Sequence, residues 1–303
     1  MGNRIGICFG PSNAQVPSER MRTFLPENNE FKGRLDQYIE YAEKAPENNT
    51  PRIPLLPNLA RNSLVISAIH AGIFEILRTN GVEPHVIGGI SVGALSAASA
   101  AGVITNETHA RLAIVRDERD GDGTSTTATV LVAEEDLPKY EHEPDVFISV
   151  DFGPIRNVGQ HLLLLSGRVT ALHDLAQRST DLVDVHDPSQ SDGARHAPGR
   201  EIARAAAERM LDADMSEGTP TWPVASSVSP MILRTTADVR QDLLANQTNR
   251  LTFKNLLAAY EREGCTEIIT IGPGTAGLDT KGLQHVAVED PSSIPNALDV
   301  LVP

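Results

Sequence analysis

The sequence predicts an α/β fold in two parts, a large one and a smaller one inserted into it. Three observations carry that expectation. Short apolar strands alternate with amphipathic or small-residue helices along the chain. One strand runs into the turn Gly89-Ile90-Ser91-Val92-Gly93 and straight on into a helix. Residues 124–187 hold a tight succession of four strands and a helix.

Taken in order, Ile5 to Phe9 reads as a first strand ending at Gly10-Pro11. Residues 13–60 are polar, rich in Asn and Pro, with a helix expected over Phe31 to Lys44. Ser63 to Gly81 places Leu64, Ile66, Ile69, Ile73, Ile76 and Leu77 close to a helical stripe. Asn62 or Ser63 is its expected cap, and Gly81 its stop. Pro84 to Gly88 is a strand, and Ala94 to Ala101 a small-residue helix. The charged stretch 117–123 looks like a hinge. Strands follow at Ser125 to Ala133, Asp145 to Val150, His161 to Leu165 and Leu182 to Val185, with a helix at Val169 to Gln177. With one more helix, not placed, that succession is a ferredoxin-like unit over 124–187, flanked by a large part over 1–123 and 188–303. In the second half, helices are expected at Glu201 to Leu211, Ala237 to Asn246 and Phe253 to Gly264. Strands are expected at Pro223 to Val228 and Cys265 to Ile271, the latter closed by Gly272-Pro273-Gly274.

Composition excludes several functions. The chain of 303 residues has 40 Asp and Glu against 26 Lys and Arg, a net charge of −14, which disfavours binding to nucleic acid or an anionic membrane. Aromatic residues make up only 4%, too few for a base-stacking platform. Two cysteines, Cys8 and Cys265, form no disulfide framework and no CxxC metal motif, so no metal is expected and the cytoplasm is the expected compartment. Val86 to Ile104 carries no charge, but its glycines and serines fit a strand, a turn and a buried helix better than a membrane span.

The chemistry concentrates on Ser91. In a nucleophile elbow the strand-to-helix turn is so tight that its neighbours must be glycine, and the serine oxygen is thrust out at the helix start. The Val92 N–H then faces a developing oxyanion, helped by the helix dipole. The other reading is a glycine turn that only packs strand on helix. A serine needs a base, and nine histidines are available. His70, His85 and His142 read as structural or solvated. His109, His161, His173, His186 and His285 have no turn or glycine context that aims them at a cleft. His196, in Ser191-Asp192-Gly193-Ala194-Arg195-His196-Ala197-Pro198-Gly199, sits on a turn leading into a helix, where it faces either a cleft or solvent.

Several segments in order resemble the malonyl-CoA:acyl-carrier-protein transacylases and the acyltransferase domains of polyketide synthases. Residues 81–104, GVEPHVIGGISVGALSAASAAGVI, are similar to the family's elbow region. Phe9-Gly10-Pro11-Ser12-Asn13 stands at its N-terminal loop, and Arg116 at its substrate-carboxylate arginine, 25 residues after the serine. Asp192 to Pro198 resembles the segment with its catalytic histidine, Trp222 to Val228 one of its strands, and Leu251 to Gly274 its closing helix and strand.

The resemblance implies an α/β-hydrolase-like large subdomain with an inserted ferredoxin-like small one. It implies ping-pong transfer through an acyl-serine at Ser91, with His196 as base. The Asn246 backbone carbonyl would orient that histidine, Val92 and Ser12 would supply the oxyanion-hole amides, and Arg116 would clamp an acyl carboxylate (a surface arginine near Asp117 being the other reading). The substrates would be acyl-CoA and the phosphopantetheine thiol of an acyl carrier protein, with no cofactor, and the protein a trans-acting monomer of fatty-acid or polyketide-type biosynthesis. Two departures bear on substrate choice: Ile90 replaces the family's histidine before the serine, and Arg195 precedes the catalytic histidine, so both are expected to shape an unusual acyl site. Arg195, Arg200 and Arg204 are the expected basic patch for an acidic carrier protein. Two rivals stand beside this reading: a patatin-like hydrolase with a Ser91/Asp192 dyad, and a catalytically silent acyltransferase-like binding protein.

Overall fold

The structure, a computed structural model, describes residues 4–12, 29–43, 58–115, 123–191, 193–215 and 217–301. Two sheets organise them. The first has the order β11-β10-β1-β2-β7-β8, with β1 at Ile5–Phe9, β2 at Pro84–Gly89, β7 at Val224–Ala225, β8 at Ile232–Leu233, β10 at Glu267–Ile271 and β11 at Gln284–Val288. All its pairs are parallel except β7 with β8. The unbroken burial of β1 and β10 follows from this: a parallel sheet covered on both faces needs apolar runs rather than alternation.

Helices cover both faces. Among them α1 (Asn29–Glu43), α2 (Asn58–Thr79), α3 (Val92–Ala100) and α4 (Asn106–Ala113) pack together. The helix expected from Ser63 begins at Asn58, so Asn62 lies inside it, fully buried, and is no cap. The apolar stretch from Val86 divides as expected into β2, the turn and α3, and among the described residues no helix is long and apolar enough to cross a membrane. Between these helices Tyr38 OH meets His109 Nδ1 at 3.2 Å, and Ser96 Oγ meets His70 Nδ1 at 2.8 Å. Burial holds both imidazoles neutral, at a pKa of about 3.

The second sheet has the order β6-β3-β5-β4-β9. Its strands are β3 (Ser125–Val132), β4 (Val146–Pro154), β5 (His161–Arg168), β6 (Leu182–Val185) and β9 (Leu251–Thr252). The helix left unplaced between β3 and β4 is α5 (Leu137–Glu141), and α6 (Val169–Arg178) links β5 to β6. The first four strands thus follow the ferredoxin-like βαββαβ path. Ala128, Val130, Leu163 and Leu165 bury against α6, and the alternate residues of the same strands face the first sheet. The two sheets are joined by β9, which pairs in parallel with β4, and by the bridge between Ile155 and Leu278.

The remaining helices are α7 (Pro188–Ser191), α8 (Glu201–Asp214), α9 (Thr236–Thr248), α10 (Phe253–Arg262) and α11 (Ile294–Leu301). The C-terminal ends of β1, β2 and β10 open on one side, where a doubly wound sheet carries its ligands.

Candidate active site

Ser91 sits between β2 and α3 with φ 58° and ψ −120°, a conformation that costs a non-glycine residue about 1–3 kcal/mol and persists only where its surroundings impose it. Here the surroundings are glycines. A Cβ on Gly89 would lie 2.2 Å from the Gly93 carbonyl oxygen, and one on Gly93 would lie 2.1 Å from that of Phe9. The Ile90 N–H donates to the Phe9 carbonyl at 3.1 Å, which ties the elbow to β1.

His196 comes from the loop between α7 and α8, again with positive φ, 46°. Its Nε2 lies 2.8 Å from Ser91 Oγ, and its Nδ1 lies 2.6 Å from the backbone carbonyl oxygen of Asn246. That carbonyl belongs to the last turn of α9, where carbonyls have no intrahelical partner and carry the negative end of the helix dipole. It fixes the Nδ1–H tautomer, leaving Nε2 to accept the serine proton. Desolvation pushes the imidazole down to about 4; the Asn246 carbonyl opposes that shift, and the Arg195 and Arg200 guanidiniums add to it.

His196 is therefore neutral at physiological pH, the form a base requires. The neutral fraction rises with pH through about 4 and is complete well below 6.5, so the rate of serine acylation at pH 5.5 is expected within about twofold of that at pH 7.5. An inflection near 6.5 in a stopped-time loading assay would contradict it.

The histidine loop is clamped by the second sheet. The Arg195 carbonyl accepts from Ser149 Oγ at 2.5 Å and Ser166 Oγ at 2.8 Å, and the Arg195 N–H donates to Ser166 Oγ at 2.8 Å. The Ala194 N–H donates to Ser125 Oγ at 3.2 Å. The second sheet thus anchors the backbone of the loop that carries His196.

A cavity of about 360 Å³ opens on the pair, within the size range of small-molecule sites. Pro11, Ser12, Ser91, Val92, His196, Asn246 and Pro273 line it, so Ser12 and Val92 share the cavity with the nucleophile. The Ser63 hydroxyl donates to Ser12 Oγ at 3.1 Å. Arg195 lines the cavity too. Because the carbonyl that holds His196 is backbone, Asn246→Ala is expected to lower the acylation rate by less than about tenfold, a small loss for a residue so close to the base. A loss near that of removing the imidazole would show that the amide side chain does the orienting.

Three expectations need correction. Ile90 is 1% exposed and packs in a core with Cys8, Val86, Val150 and Phe253; it does not line the cavity, because the sharp bend that turns Ser91 outward turns Ile90 inward. Arg200 is 4% exposed and lines the cavity, donating to the Ala194 carbonyl, so it is no part of a surface docking patch. His186, set aside on sequence, lines the cavity as well. Arg116 and Asp192 lie outside the described residues.

The fold is that of malonyl-CoA:acyl carrier protein transacylases and of a polyketide synthase acyltransferase domain. The Helicobacter pylori malonyl-CoA:acyl carrier protein transacylase superposes with a TM-score of 0.78 at 18% identity, over 99% of this chain and 99% of that one. A malonyl-transacylase in complex with the acyl carrier protein of a type II polyketide synthase gives 0.77 at 19% identity, over 98% and 99%. The acyltransferase domain from the second module of the salinomycin polyketide synthase gives 0.72 at 19% identity, over 99% of this chain and 72% of that one. At such identities the likeness is one of fold. No protein-family model matches the chain, and no curated protein matches it.

Proposed function

We propose that the protein is an acyltransferase that carries an acyl group through Ser91 from acyl-CoA, or another thioester, to the phosphopantetheine thiol of an acyl carrier protein. The observation that carries this reading is the relay Ser91 Oγ, His196, Asn246 carbonyl, with contacts of 2.8 and 2.6 Å, at the mouth of a cavity. His196 takes the hydroxyl proton while Ser91 Oγ bonds to the thioester carbonyl carbon. The oxyanion is held by the amides of Val92 and Ser12. The C–S bond then breaks, and the imidazolium returns its proton to the leaving thiolate. A carrier thiol reverses the sequence: it gives its proton to His196, its sulfur bonds to the acyl carbon, and the Ser91 ester bond breaks as the imidazolium returns that proton to Ser91 Oγ. The Asn246 carbonyl, at a helix C-terminus, stabilises the transient imidazolium.

Arg116 as carboxylate clamp belongs to this reading, and so does fatty-acid or polyketide-type biosynthesis in the cytoplasm by a monomer. An imidazole already within hydrogen-bond distance of Ser91 favours it over a hydrolase that would use Asp192. The test is transfer. With malonyl-CoA or another acyl-CoA, a carrier protein bearing phosphopantetheine is expected to gain the acyl mass, and the same carrier without its prosthetic arm is not. Release of free acid at one rate whether or not the thiol is present would make the protein a hydrolase.

A further inference from the structure

On the second sheet, the face turned to the cavity is graded from polar to apolar. Thr127 and Thr129, two residues apart on β3, point the same way, and His186 follows β6 beside them. The His186 ring lies between their hydroxyls, Nδ1 at 2.8 Å from Thr127 Oγ1 and Nε2 at 2.9 Å from Thr129 Oγ1. Next across the sheet come Leu162 and Leu164 on β5, then Val150 and Phe152 on β4, all lining the same cavity.

The register relates this wall to the catalytic loop. Thr127 pairs with Ser166, the serine that holds the Arg195 carbonyl, and Thr129 pairs with Leu164, which pairs with Val150. The row Thr129, Leu164, Val150 therefore lies one pleat repeat, about 7 Å, beyond the row that anchors the histidine loop. An acyl chain leaving the Ser91 ester along this wall has an apolar surface beneath it and a hydroxyl-lined edge beside it.

Hydrogen-bond inventory defines what that edge takes. A neutral imidazole offers one N–H and one lone pair, so one threonine accepts from the ring and the other donates to it. The first keeps an O–H to give, and both keep lone pairs to receive. Such an edge suits an uncharged group that both accepts and donates.

We propose that Thr127, Thr129 and His186 form a specificity subsite for an acyl group with an apolar body and a hydroxyl substituent. This rests on the acyltransferase reading and names the substrate class of the same cavity. The rate of Ser91 acylation, followed by intact-protein mass, is compared for hexanoyl-CoA, β-hydroxyhexanoyl-CoA, its δ-hydroxy isomer, malonyl-CoA and acetyl-CoA.

The wild type is expected to load one of the hydroxyacyl groups at least tenfold faster than hexanoyl. Thr129→Val, which keeps the shape and removes the hydroxyl, is expected to reduce that ratio about tenfold, and Thr129→Ser to restore it. His186→Leu is expected to reduce the ratio likewise. Equal losses for hydroxylated and plain substrates would overturn the proposal and assign the edge to the shared pantetheine arm or to the fold. A wild type that loads malonyl or acetyl with no preference for a hydroxyl would overturn the proposal alone. Failure to load any acyl group would overturn the acyltransferase reading, and the subsite with it.

Discussion

Gly93→Ala is expected to destabilise the protein by about 3 kcal/mol or more. The added methyl would lie 2.1 Å from the Phe9 carbonyl oxygen and 2.7 Å from that of Gly10, and both are backbone atoms of the central strand and its loop. Neither is the free end of a side chain that can step aside. The N-terminus of α3 would have to back away from β1, breaking the Ile90 N–H contact to Phe9 and moving Ser91 with it. Overpacking a core typically costs about 1–3 kcal/mol and occasionally more, and fixed backbone on both sides places this site at the upper end, against the roughly 5–15 kcal/mol that holds a domain together. Urea unfolding and soluble yield report it. Gly33→Ala is the control: Gly33 lies in helix α1 with nothing within 4 Å of a new Cβ, so the same chemical change there is expected to stabilise by about 0.5–1 kcal/mol. A Gly93→Ala variant as stable as the wild type would mean that the helix and strand do not meet as described.

His196→Ala is expected to lower the rate of Ser91 acylation by about 10³-fold or more with the fold intact. The imidazole is the group within hydrogen-bond distance of the serine oxygen, and an unassisted serine hydroxyl is a weak nucleophile. The loop around it stays anchored through backbone atoms of Ala194 and Arg195, which the substitution does not touch. The melting temperature is therefore expected to move little while loading collapses. A variant that still loads within tenfold of the wild type would transfer the role of base to another group, the Asp192 of the hydrolase reading being the first to examine.

Much of this was legible in the sequence because local chemistry dictated it. The bounds of β1 and β6 were read off as they stand in the structure, and the Gly-x-Ser-x-Gly turn announced its own geometry, since no other residue fits where Gly89 and Gly93 approach backbone. Which atoms a loop brings together was harder. The pairing of His196 with Asn246 came only through resemblance, because the 50 residues between them have no local signature for a shared contact.

Ile90 was misread because the bend, not the residue's place beside Ser91, decides which way it points. His186 was passed over for want of a turn context; the usable signal was the period of two in Thr126-Thr127-Ala128-Thr129-Val130, which puts Thr127 and Thr129 together on a face that is not core. The edge strand β11 and helix α4 escaped for lack of pattern, one beginning with the polar pair Gln284-His285 and the other having only a Thr105 cap that accepts from the Thr108 N–H.

The central claim is that one serine oxygen takes an acyl group from a thioester with the help of the imidazole facing it. Intact-protein mass spectrometry after exposure to a panel of acyl-CoAs tests it directly. A mass gain of one acyl group, mapped to the peptide containing Ser91 and absent in Ser91→Ala, is the predicted result. A wild-type protein whose mass does not change with any thioester in the panel, or whose label persists in Ser91→Ala, would contradict it.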